Sequence, residues 1–136
     1  KGKNIFGIIF GASHPRAVDK FLSIAWAIND INGCANFDID DDGTKTIQAD
    51  LFEGHILTKK EKFDKDIEIQ VLNGNLKTNK DVYDYTLDQG YLPSQSAAVL
   101  RNLMKEKKIN YPSKAPLVNY ANVYKNPRII YYEILK

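Results

Sequence analysis

Pro93–Ile109, PSQSAAVLRNLMKEKKI, sets Val99, Leu100, Leu103 and Met104 on one side of a helix and turns Gln95, Arg101, Asn102 and Lys105 towards the other. One face is suited to burial and the other to water or a polar partner. Just upstream, Asn79–Asp88 places Val82, Tyr83 and Leu87 on a shorter helix that stops at Gly90, a residue that accepts the left-handed conformation of a helix end. Before that, Thr58–Leu72 opens with Thr58 and, three residues on, Glu61, the spacing of a reciprocal cap. Its Phe63, Ile67 and Val71 recur every four residues, and Asn73–Asn75, NGN, ends it. Downstream, two Tyr- and Val-rich runs, LVNYANVY and RIIYYEIL, flank KNP, a pattern that predicts a β-hairpin. Three helices followed by a hairpin is the order of a winged helix-turn-helix.

The amino-terminal part reads differently. Asn4–Phe10, NIFGIIF, is rich in β-branched and aromatic residues and predicts a buried strand. Gly11, Ser13, His14 and Pro15 stop it, and from Pro15 the residues Val18, Phe21, Leu22, Ala25 and Ile28 recur at helical spacing, up to a break near Asn29, Asn32 and Gly33. The expected fold is therefore α+β. A strand-helix unit with an acidic loop occupies residues 1–57, and a winged-helix-like domain, three helices plus a β-hairpin, occupies residues 58–136.

Charge separates the same two parts. The 136 residues have a formal charge of +2, but residues 1–93 hold 11 Lys and Arg against 15 Asp and Glu, whereas residues 94–136 hold 8 against 2. An anionic partner would meet the carboxy-terminal end. The hydrophobic content of 43% suits a globular core. No run of about 20 apolar residues marks a membrane span, and the expected setting is cytoplasmic. The single cysteine, Cys34, has no partner for an internal disulfide or a zinc site. A start at Lys1, close to a strand-like segment, is expected of a piece of a longer protein.

In a helix-turn-helix the second helix presents its polar face to the DNA major groove. Here that is the helix from Ser94. Gln95 and Asn102 can bond adenine and Arg101 guanine, while Ser94, Ser96 and Lys105 suit phosphate oxygens. Lys114, Lys125 and Arg128 supply the wing with cations. Tyr111 and Tyr124 are the tyrosines best placed to stack on bases, although tyrosines in strands more often sit half-buried. The rival reading of the same fold is a protein-protein interaction module.

Three other features raise chemical questions. GASHP, residues 11–15, is a glycine turn into a helix, but it carries neither phosphate-loop fingerprint, and Ser13 next to His14 is no catalytic pair. Ser13 is expected to cap the helix and His14 to bond the local backbone. His55 stands alone, without ligand-spaced companions. Phe37–Gly43, FDIDDDG, matches an EF-hand loop at Asp38, Asp40, Asp42 and Gly43, but the twelfth position is Ala49 rather than Glu. A solvated turn is the favoured reading, with a loosely held cation as the alternative. No catalytic residue, metal or cofactor is expected.

Phe6–Trp26, FGIIFGASHPRAVDKFLSIAW, resembles the three-Cys-motif partner protein family, in which a strand leads through a small-residue and histidine turn into a helix ending near a tryptophan. The helices around Tyr91–Ile109 resemble that family's carboxy-terminal winged helix-turn-helix. The resemblance implies a bacterial protein of phage-related or mobile-element loci, beside a partner protein bearing three cysteines. It also implies an amino-terminal methyltransferase-like domain that these residues do not contain, and it assigns no catalytic residue here.

Overall fold

The computed structural model describes residues 10–30, 33 and 57–135. The predicted strand, apart from Phe10, lies outside the described residues, as do Cys34, FDIDDDG and His55. Helix α1 (Pro15–Ile28) starts at a proline, whose missing N–H needs no partner in a first turn. Its cap is His14 rather than the expected Ser13. Because Pro15 has no N–H to offer, the first N–H a cap can serve is that of Arg16, which donates to His14 Nδ1 at 3.3 Å.

Helix α2 (Lys59–Leu72) has the expected reciprocal cap. The Glu61 N–H donates to Thr58 Oγ1, and the Thr58 N–H donates to Glu61 Oε2. Helix α3 (Asn79–Asp88) repeats the device with Thr78 and Asp81, and helix α4 (Pro93–Lys105) opens on a proline. Gly74 and Gly90 follow α2 and α3 with φ of +73° and +79°. After α4 the left-handed residue is Lys107, at φ +56°, and the Lys108 N–H reaches back to the Leu103 carbonyl at 2.9 Å.

The core lies where α2, α3 and α4 meet. Phe63, Ile67 and Val71 of α2, Val82, Tyr83 and Leu87 of α3, and Ala97, Leu100 and Leu103 of α4 are all buried. Each large side chain so buried stabilises the fold by about 1.5–3 kcal/mol. The Tyr85 hydroxyl of α3 donates to Asp66 of α2, a bond that pushes the phenol up to about 12.

Helix α1 packs on α3. The Tyr83 hydroxyl donates to Asp19 Oδ2 at 2.9 Å, and burial together with that bond holds its pKa above the usual range. Trp26 Nε1 donates to the Gly90 carbonyl at 3.0 Å, which fixes α1 against the turn between α3 and α4. Gly33, at φ +68°, lies against this indole so closely that a Cβ would stand 2.4 Å from it. Of the face predicted for α1, Val18, Leu22 and Ala25 point inward, Phe21 stacks on Phe10, and Ile28 stays exposed.

The wing corrects one expectation. Strand β1 (Ile109–Asn110) pairs antiparallel with β2 (Glu133–Ile134), in the register Ile109 to Ile134 and Asn110 to Glu133. The chain just before β2 also bridges Thr78 through Tyr131, so the returning segment lies between β1 and the start of α3. LVNYANVY forms no strand. Leu117 takes a left-handed φ of +53°, Asn119 Oδ1 accepts the Asn122 N–H at 2.9 Å, and Ala121–Lys125 closes into a π-helical turn packed on α3. A left-handed residue and a side-chain turn end any extended run, so the wing is a long loop, 111–132, between two short strands.

Candidate nucleic-acid interface

Helix α4 is divided sharply by burial. Ser96, Ala97, Leu100 and Leu103 are buried, whereas Ser94, Ala98, Arg101, Asn102 and Lys105 are exposed and share one stripe at helical spacing. Among the described residues neither Arg101 nor Lys105 has an ion-pair partner. Lys105 lies in the last turn, where the helix dipole favours a cation. Arg101 stands close enough to Tyr111 to favour its phenolate, against the stronger upward push of burial.

Two residues of the first turn serve the helix itself. Gln95 is half-buried, and its Oε1 accepts the Leu92 N–H at 2.8 Å, the one half of a reciprocal cap that remains where Leu92 has no side-chain acceptor. Ser96, expected at a phosphate, is fully buried and donates to the Pro93 carbonyl at 3.2 Å. Side chains of a first turn commonly bond nearby backbone in this way. Beyond the helix, Lys108 is paired with Glu68 at 2.7 Å and Glu106 at 2.8 Å.

The wing cations Lys114, Lys125 and Arg128 are all exposed. Lys125 ends the π-helical turn on α3, and the Arg128 N–H donates to the Asn122 carbonyl at 2.7 Å. Tyr111 and Tyr124 are not open to bases. Tyr111 is buried edge-on against Tyr132, and Tyr124 is half-buried, with its hydroxyl donating to Asp84 at 2.6 Å and accepting from Lys80 at 2.9 Å. The exposed wing tyrosine is Tyr131, at 70%.

Asn79, which no sequence pattern singled out, holds the wing to α3. It is fully buried; its Nδ2 donates to the Leu117 carbonyl at 3.1 Å and to the Arg128 carbonyl at 3.0 Å, and its Oδ1 accepts the Ile130 N–H at 3.0 Å. Its own N–H donates to the Ile130 carbonyl at 3.2 Å. An asparagine at a helix start reads as an ordinary cap, so spacing along the chain gives no signal for this role.

The GASHP turn borders an open groove of about 420 Å³ between α1 and α3, lined by Ser13, Pro15, Asp84, Asp88 and Tyr124 among others. The two carboxylates make it a poor cradle for phosphate. Among the described residues no group of three His, Cys, Asp or Glu could hold a metal ion, and no helix is long and apolar enough to cross a membrane.

Compared with known proteins, residues 36–116 match the family model described as "GMT-like wHTH domain", a match that covers more than half of the chain. No curated protein and no solved structure matches.

Proposed function

The chain belongs to the GMT-like wHTH family, and on that premise we propose that it is a non-catalytic winged-helix domain that binds duplex DNA with α4 against the major groove. The observation that supports this most directly is the exposed stripe of Ser94, Arg101, Asn102 and Lys105 on a helix whose opposite face is buried in the core. Arg101 would read guanine and Asn102 adenine, while Ser94, Lys105 and the remaining Gln95 donor, Nε2, would bond phosphates. Lys114, Lys125 and Arg128 would neutralise phosphates flanking the groove. The resemblance of Phe6–Trp26 supports a setting in a larger cytoplasmic protein of the three-Cys-motif partner type, from a phage-related or mobile-element locus and with a three-cysteine protein as partner.

A mobility-shift titration on duplex DNA, run from low to moderate salt, tests this reading. Arg101→Ala with Lys105→Ala should weaken binding at least about tenfold, because a bidentate base contact alone supplies about 1–3 kcal/mol of discrimination. Both side chains are exposed, so the thermal midpoint should hardly move. No shift at low salt, or an affinity unchanged by the double substitution, would sink the proposal. A second reading, docking onto a partner protein, is favoured by Ile24 and Ile28 of α1, each 63% exposed and one helical turn apart. Retention of DNA affinity after Ile24→Ser with Ile28→Ser would separate the two surfaces.

A further inference from the structure

The wing has little regular structure, although Tyr111, Val118, Val123, Ile130 and Tyr132 anchor it in the core. Its two strands are two residues each, its outgoing limb passes through Leu117 in a left-handed conformation costing about 1 kcal/mol, and its cations point into solvent. Yet a single buried side chain on the first turn of α3 bonds both limbs, at Leu117 on the way out and at Arg128 and Ile130 on the return. Every hydrogen-bonding position of that amide except one Oδ1 lone pair is used, and α3 is itself fixed against α4 by the core.

We infer that Asn79 is a positioning residue for nucleic-acid binding: it fixes the returning limb of the wing to α3 so that Arg128 is presented in register with the Arg101, Asn102 and Lys105 face of α4. This rests on the DNA-binding reading above and adds a division of labour to it. The helix face is preorganised by its own burial, and the segment of the wing that carries Arg128 is preorganised by one amide beside the buried Ile130. A loop ordered in advance loses less conformational entropy on binding, so its phosphate contacts form at full strength. Tyr132, whose hydroxyl donates to the Pro116 carbonyl at 2.8 Å, steadies the base of the loop, whereas Asn79 holds Arg128 itself.

The test is Asn79→Asp, which keeps the shape and the Oδ1 acceptor but turns the donor facing Leu117 and Arg128 into an acceptor. Duplex affinity is measured from 50 to 300 mM salt. The slope of log affinity against log salt should fall in magnitude by about 0.9, the share of the one Arg128 phosphate contact. Arg128→Ala should lower the slope by about 0.9 in the natural chain and by nothing further beside Asn79→Asp. A residue with a merely structural role would lower the thermal midpoint and leave the slope and this coupling unchanged, which would overturn the inference. Should Asn79→Asp fail to fold, hydrogen exchange on the natural chain decides. The Ile130 amide should be as protected without DNA as with it, and an amide that exchanges fast until DNA is added would overturn the inference. A natural chain that shifts no duplex at 50 mM salt removes the DNA-binding reading itself; a chain that binds, with a slope unmoved by Asn79→Asp, removes only the role of Asn79.

Discussion

Helix α4 and the wing both offer cations to solvent, and they are held in opposite ways. Arg101, Asn102 and Lys105 ride on a helix seated by its own Ala97, Leu100 and Leu103, side chains within a turn of the residues they position. Lys114, Lys125 and Arg128 ride on a loop seated largely by residues far away in sequence, above all Asn79, 49 residues from Arg128. The difference teaches that two sets of exposed cations in one domain can have separate points of failure. The helix face fails only with the core, whereas the wing, which shares that core through Val118, Val123 and Ile130, can also fail with a few hydrogen bonds.

Four perturbations press on that contrast. The largest effect belongs to Leu100→Ala, which empties a fully buried position and should cost about 3 kcal/mol in urea denaturation, loosening helix and wing together. A loss below about 1 kcal/mol would mean that α4 is not held by its buried face. Next comes Tyr132→Phe, which leaves the Pro116 carbonyl without its bond and should cost about 1.5 kcal/mol, with faster amide exchange in 111–132 than in α4.

The same tyrosine carries a pH dependence. Burial raises the phenol of Tyr132 above its usual value of 10.0, and burial likewise raises Tyr111 beneath it. The folded wing therefore holds these protons more tightly than the unfolded chain does. Their contribution is fully present below pH 10 and is lost as pH rises above it. Thermal midpoints measured from pH 8 to 11 should be flat and then fall, less steeply for Tyr132→Phe, and identical curves would remove burial of Tyr132 as the cause. The smallest effect is that of Gln95→Ala. It removes the acceptor for the Leu92 N–H and should cost about 1 kcal/mol, confined to the first turn of α4. An unchanged midpoint would return Gln95 to the role of a free polar contact.

The helices were legible because their determinants are local. Thr58 with Glu61, the four-residue recurrence of Phe63, Ile67 and Val71, and Gly90 after α3 each state a start, a face or an end within a few residues. The polar face of α4 was legible as the complement of Leu100 and Leu103. Ser96 is misplaced at a phosphate, and the bond of Gln95 to the Leu92 N–H goes unseen, because a helix's first turn turns polar side chains back onto its own backbone, which periodicity does not register. The wing is legible as a hairpin, but its outgoing strand is not. Val and Tyr in LVNYANVY match a strand in composition, but pairing is a contact between distant segments, and Ile109–Asn110 provides the partner instead. Asn79 was invisible for the same cause, since its partners begin 38 residues away.

Lys107 closes α4 in a conformation that glycine enters without strain and a lysine does not. The helix end therefore stands about 1 kcal/mol short of what its backbone would allow. Replacement by glycine would relax the turn and delete a charge in the same stroke. At this position an unstrained turn and a positive charge are exclusive alternatives, and the chain has taken the charge, directly beyond the helix face that ends with Lys105.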